Sequence, residues 1–81
     1  MNGDAVYTDL ERQIILGILR PRERLVEAEL TRKLGVSRTL LREVFRRLEG
    51  VGLVARSPNR GAVVRDFSPK EIEDLYFVRS V

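Results

Sequence analysis

The sequence predicts a mainly α fold: a three-helix core with a small β-hairpin, followed by the start of a fourth helix. Three observations predict it. Apolar residues recur at helical spacing in three separate runs. Pro, Gly and Ser residues punctuate those runs where helices stop and start. Two short β-prone runs, Leu53-Val54-Ala55-Arg56 and Ala62-Val63-Val64-Arg65, flank the turn sequence Ser57-Pro58-Asn59-Arg60-Gly61.

Helix 1 is expected over about residues 5–19. Tyr7, Leu10, Ile14 and Ile18 form its apolar stripe, widened by Ile15 and Leu19. Asp4 stands where a capping side chain belongs, and Pro21 stops the helix. Pro21-Arg22-Glu23-Arg24 reads as a turn, with proline pre-set for the second position. Leu25-Val26 is expected to make one strand-like contact with the later hairpin. Helix 2 runs from about Glu27 to Leu34, with acids at its positive end, Arg32 and Lys33 at its negative end, and Leu30 and Leu34 buried. Gly35 follows, where a positive φ is wanted.

Helix 3 is expected over about Arg38-Glu49. Ser37 is its cap, and Val36 with Leu41 forms a hydrophobic staple that sets its approach angle. Leu41, Val44, Phe45 and Leu48 follow the i, i+3, i+4, i+7 pattern, and Gly50 supplies the stop. Ser68-Pro69-Lys70-Glu71 is a capping box that opens helix 4. Ile72, Leu75, Tyr76, Phe77, Val78 and Val81 crowd more than one face of that helix. A core helix needs one apolar stripe. Helix 4 is therefore read as the start of a second domain; the plainer alternative is a helix folded back on helix 1.

The composition narrows the chemistry. A chain of 81 residues makes one small domain with a thin core. It has no cysteine for a disulfide or zinc knuckle, and no histidine, the commonest general base at neutral pH. No Gly-rich phosphate loop or paired carboxylates suggest an enzyme, and no cofactor is expected. No apolar run approaches the roughly 18 residues that a membrane span requires. The first residues do not read as a secretory signal, so a cytoplasmic protein is the expectation.

Charge is distributed unevenly. Residues 20–65 carry twelve basic and five acidic side chains, a local charge of +7 between two mildly acidic ends. A concentrated cationic patch is the footprint of a polyanionic partner; a solvated Arg-rich surface is the alternative.

Glu27 to Glu49 has the plan helix, tight turn, helix, and the hairpin after it completes a winged helix-turn-helix. In that plan the second helix lies in the major groove of DNA. With Leu41 at 0° on a helical wheel, Thr39, Arg42 and Arg46 fall at about 160°, 100° and 140°, away from the apolar set. Arg38 stands at the N-terminal edge of the same side. Arginine can bridge guanine O6 and N7, and threonine can meet a base edge or a thymine methyl. Arg47 points nearer the rim, towards a phosphate or Glu43. Glu43 is read as an orienting partner for Arg46 or Arg47. The wing tip, Asn59-Arg60-Gly61, is placed to reach a minor groove or the sugar-phosphate backbone. A winged helix used as a protein scaffold is the rival reading, and Arg38, Arg42 and Arg46 argue against it. A membrane-surface role is disfavoured, because helix 3 turns its apolar face to the core.

Gly35-Val36-Ser37-Arg38-Thr39, Leu41-Arg42-Glu43, Arg47-Leu48-Glu49 and Gly52-Leu53-Val54 together resemble the DNA-binding domain of the GntR family of bacterial regulators. Pro58-Asn59-Arg60-Gly61-Ala62 is similar to that family's wing. Asp66-Phe67-Ser68, Ile72-Glu73-Asp74-Leu75-Tyr76 and Arg79 resemble the start of the helical effector domain in its FadR-like branch. The resemblance implies a DNA-binding domain over 1–66, with 67–81 a linker and the first turns of a truncated effector domain. It implies a homodimer of the full-length protein on a short palindromic operator, and a small-molecule effector taken only by the missing domain. It also implies DNA contacts at Ser37, Arg38, Thr39, Arg42 and the wing Gly61. Three positions depart from the family pattern: Ala28 replaces a DNA-contacting arginine of some members, Leu40 a frequent proline, and Arg22 the glycine of a Pro-Gly turn.

Overall fold

A computed structural model describes residues 2–58 and 61–66. The helix 4 expectation and the wing-tip residues Asn59 and Arg60 lie outside the described residues. The order of elements is α1 (Gly3–Ile15), β1 (Arg24–Leu25), α2 (Glu27–Leu34), α3 (Arg38–Gly50), β2 (Val54–Ser57) and β3 (Gly61–Val64).

Helix α1 differs from the expectation at both ends. Its cap is Asn2, whose Oδ1 accepts from the Ala5 amide at 2.8 Å; Asp4 lies inside the first turn. The helix stops at Ile15, well before Pro21, because Gly17 takes φ +78° and turns the chain out of helical register. The apolar period therefore does not carry through to Ile18. The buried stripe is Val6, Leu10 and Ile14, flanked by half-buried Tyr7 and Ile15, while Leu16 and Ile18 are exposed.

The segment after α1 turns at Arg20 to Glu23, where the Glu23 amide donates to the Arg20 carbonyl at 3.0 Å. Pro21 holds the second position, as expected. Arg22 holds the third with φ +68°, a conformation that glycine adopts without steric cost. The Arg22 amide donates to the Val64 carbonyl at 2.7 Å, and the Val64 amide donates to the Glu23 carbonyl at 2.9 Å. These bonds tie the turn to β3 and hold Arg22 in the left-handed region.

The three strands form one antiparallel sheet in the order β1-β3-β2. Arg24 pairs with Val63 and Leu25 with Ala62. Val54 pairs with Val64 and Ser57 with Gly61. Side chains alternate across a strand, so Leu25, Val54, Ala62 and Val64 all point into the core. The strand contact expected at Leu25-Val26 exists, but it is made by Arg24–Leu25, and Val26 becomes the N-cap residue of α2.

Helix α2 contains no buried residue: Leu30 and Leu34 are half-buried, because the helix packs chiefly on α3 at the margin of the core. Gly35 closes α2 at φ +66°. Ser37 then caps α3, its Oγ accepting from the Leu40 amide at 3.1 Å. Helix α3 buries Leu41, Val44, Phe45 and Leu48. It runs through Gly50, the expected stop, and the chain turns at Gly52, φ +81°. Gly50 is the last helical residue and Val51 the C-cap, so the positive φ falls two residues later.

Two stability predictions follow from this geometry. At position 22, Gly should be more stable than Arg and Val less stable. The left-handed backbone costs a side chain roughly 1–2 kcal/mol, offset in part by the 0.4–1 kcal/mol or so that glycine loses through the unfolded chain. Urea midpoints of Arg22→Gly and Arg22→Val, on either side of the parent, would establish that order. Ser37→Ala should lower stability by about 0.5–2 kcal/mol through loss of the α3 cap, measured by the same unfolding curves.

Candidate nucleic-acid interface

The site is built on the outward side of α3, and burial of its inward side fixes which residues those are. Leu41, Val44, Phe45 and Leu48 are each at most 2% exposed. With that face locked against α1 and the sheet, Ser37, Arg38, Thr39, Arg42, Glu43, Arg46 and Arg47 are all exposed. Ser37 adopts an extended backbone, φ −73° and ψ 157°, and so delivers Arg38 and Thr39 in the first turn of the helix.

The arginines are paired with carboxylates from three different helices. Arg38 and Arg42 converge on one acid, Glu27 at the start of α2: Glu27 Oε1 lies 3.3 Å from Arg38 Nε and 3.1 Å from Arg42 Nε. Arg46 Nη1 donates to Glu43 Oε1 at 2.9 Å, within α3. Arg47 Nη1 donates to Asp4 Oδ1 at 2.8 Å, and its guanidinium lies over the Tyr7 ring, 4.2 Å from the centroid. Arg56 of β2 binds Glu49 at 3.2 Å. Arginine over an aromatic face gains from the ring quadrupole as well as from the ion pair. Arg47 thus lies where α3 meets α1, to one side of Arg38, Arg42 and Arg46.

Of these contacts, the sequence pattern anticipates only the pairing of Arg46 with Glu43. The sequence marks Glu27 as an acid suited to a helix N-terminus, whereas its reach to Arg38 and Arg42 crosses from one helix to another. No periodicity within a helix signals such a contact. Asp4, the expected cap, instead meets Arg47 across the α1 to α3 contact. The pairing of Glu43 is settled in favour of Arg46.

The wing is described up to its base. Gly61 is exposed, has φ +72°, and pairs with Ser57 at the last register position before the tip. Arg65 donates from Nη1 to the Gly52 carbonyl at 2.9 Å, tying the far end of the hairpin to the turn after α3. Among the described residues no group of His, Cys, Asp or Glu side chains is placed to hold a metal ion, and no helix is long and apolar enough to cross a membrane.

Residues 2–64 match the family model described as bacterial regulatory proteins, gntR family. The HTH-type transcriptional regulator YdhC of Bacillus subtilis (strain 168) is 33% identical over 73 residues, covering 90% of this chain and 33% of that protein. The HTH-type transcriptional repressor RspR of Escherichia coli (strain K12) is 32% identical over 74 residues, covering 91% of this chain and 32% of that protein. A crystal structure of a GntR-family transcriptional regulator from Pseudomonas syringae pv. tomato superposes with a TM-score of 0.78 at 32% identity, covering 95% of this chain and 32% of the other. The chain therefore spans about a third of the length of these relatives. With a family match over most of its length and three helices carrying an antiparallel hairpin, the chain belongs to the GntR family of bacterial regulatory proteins and has its winged helix-turn-helix fold.

Proposed function

We propose that this chain is the operator-binding module of a cytoplasmic bacterial transcription regulator, and that α3 reads double-stranded DNA in the major groove. The observation that carries this reading is the two-sidedness of α3. One face is fully buried; the other holds Arg38, Thr39, Arg42 and Arg46 exposed on a rigid helix. In helix-turn-helix proteins the N-terminal residues of the second helix meet base edges. Arg38, Thr39 and Arg42 are therefore assigned to base readout, with Arg46 further along the same face. Ser37, at the helix N-terminus, is assigned to the backbone, where amide groups favour phosphate.

Arg47 and the wing residues Asn59, Arg60 and Gly61 are assigned to phosphate and minor-groove contacts. Arg47 is half-exposed, and its Asp4 partner is largely solvated, so a phosphate can replace that carboxylate at small cost. The full-length regulator is assigned to the FadR-like branch. In that reading it binds a short palindromic operator as a homodimer, and a helical domain beyond residue 66 takes the small-molecule effector. Operator occupancy then blocks or recruits polymerase. The relative RspR, described as a repressor, supports the blocking mode.

The test is fluorescence anisotropy of this chain on duplexes selected from a randomised pool, at several salt concentrations. Sequence-selective binding is expected, with log K falling against log salt by about 0.9 per phosphate neutralised. No binding at low salt would overturn the DNA reading in favour of a protein-interaction scaffold. Arg42→Ala should cost about 1–3 kcal/mol and relax one base position in the selected site. An equal loss on every sequence would instead make Arg42 a phosphate contact.

A further inference from the structure

We infer that Glu27 is a positioning residue for base readout, holding Arg38 and Arg42 together by their Nε edges so that both present their Nη groups outward. The inference rests on the reading of α3 as the recognition helix. It starts from a shared carboxylate: Arg42 Nε donates to Glu27 Oε1 at 3.1 Å, with Oε2 at 3.4 Å, and Arg38 Nε forms an ion pair with the same Oε1 at 3.3 Å. The carboxylate side chain is 28% exposed, against 64% and 57% for the two arginines. The anion is thus recessed at the base of the pair while the guanidinium ends project into solvent. Among the described residues, no hydrogen bond engages the Nη groups of Arg38 or Arg42.

Chemistry makes this arrangement selective. A guanidinium can bridge guanine O6 and N7 with two parallel donors. With the Nε of Arg42 bound to Glu27 and that of Arg38 ion-paired to it, the two Nη donors at the far end of each remain for the base. The same pairing reduces the rotamer freedom that two long side chains surrender on binding. One negative charge between two positive ones also lowers the sequence-independent attraction to phosphate, so that a larger share of the binding depends on bases. Glu27 is the first residue of α2, an end of the helix that suits an acidic side chain. The contact therefore forms only when α2 and α3 are folded against each other. The Arg46 and Glu43 pair differs: it lies along α3 itself and both members are well exposed, at 74% and 60%.

The test compares the full chain with its Glu27→Gln and Glu27→Asp variants. Anisotropy is read on the duplex selected by the parent chain and on a scrambled duplex, at one salt concentration, with thermal melting as the check on folding. Glu27→Gln should bind the scrambled duplex more tightly, and its preference for the selected duplex should fall roughly tenfold, on the order of one bidentate base contact. Glu27→Asp keeps the charge but is one methylene shorter. Its scrambled-duplex affinity should stay at the parent level while its preference falls. If both duplexes tighten equally in Glu27→Gln, or if Glu27→Asp keeps the parent preference, the positioning role is overturned and Glu27 is a solvated counter-charge. The Nε proton resonance of Arg42, read without DNA, separates the two levels of failure. Slow exchange that is lost in Glu27→Gln supports the shared clamp, and exchange unchanged by the substitution overturns it. If the parent chain shows that clamp but no sequence selection, the DNA reading has failed and takes the positioning role with it.

Discussion

The packing of α3 against α1 and the sheet is the contact on which the other features of this domain depend. Phe45, Leu41, Val44 and Leu48 form one core with Val6, Leu10 and Ile14 of α1 and with Leu25, Val54 and Val64 of the sheet, which α3 meets chiefly through β2. Side chains of this type contribute about 1.5–3 kcal/mol each when fully buried, and the domain has few others to draw on. Helix α2 adds no buried residue, so it is carried by α3 rather than helping to define the core. The rotational setting of α3 about its own axis follows from this packing. A helix with four consecutive inward positions locked cannot roll, and the direction in which its arginines point is therefore a property of the core.

Around that fixed helix the charges are interleaved rather than massed. Each of Arg38, Arg42, Arg46 and Arg47 has a carboxylate within 3.3 Å, drawn from α1, α2 or α3. Exposed pairs of this kind contribute little to stability individually. Their weakness matters for a surface that must meet a polyanion, because a phosphate oxygen can take the place of a carboxylate without a large penalty. The interleaving also keeps the free domain from carrying a continuous cationic face, which limits indiscriminate binding.

The legible parts of this protein were those governed by local rules. The α3 stripe, its Ser37 cap, the left-handed Gly35 and the hairpin all follow from spacing or from the conformational demands of single residues. The end of α1 was not legible, because two signals competed there. Apolar periodicity continued through Ile18, while Gly17 ended the helix, and the backbone preference of one residue won. Gly50 shows the converse: a glycine with no need for its freedom, passed over by a helix that turns at Gly52. Of the candidate site, the outward direction of Arg38, Arg42 and Arg46 and the Glu43 partner of Arg46 follow from positions along one helix, whereas the acid beside Arg38 and Arg42 comes from α2. Contacts between side chains 11 and 15 positions apart, or between Asp4 and Arg47, depend on how helices cross, and a one-dimensional pattern does not encode that.

The short strand β1 has a mechanical consequence. It lies between α1 and α2 in sequence, yet in the sheet it is bonded to β3, the strand that leaves the hairpin tip. Leu25, its last residue, stands two positions before Glu27. The hairpin and the start of α2 are therefore parts of one girder. A load applied at Gly61 is passed along β3 to Ala62 and Val63, and across to Leu25 and Arg24, before it can bend the hairpin away from the helices. The separation between the hairpin end and the outward face of α3 is set by this brace. In the proposed binding mode, the spacing at which the hairpin and α3 meet a duplex is therefore carried by the pairing of β1 with β3.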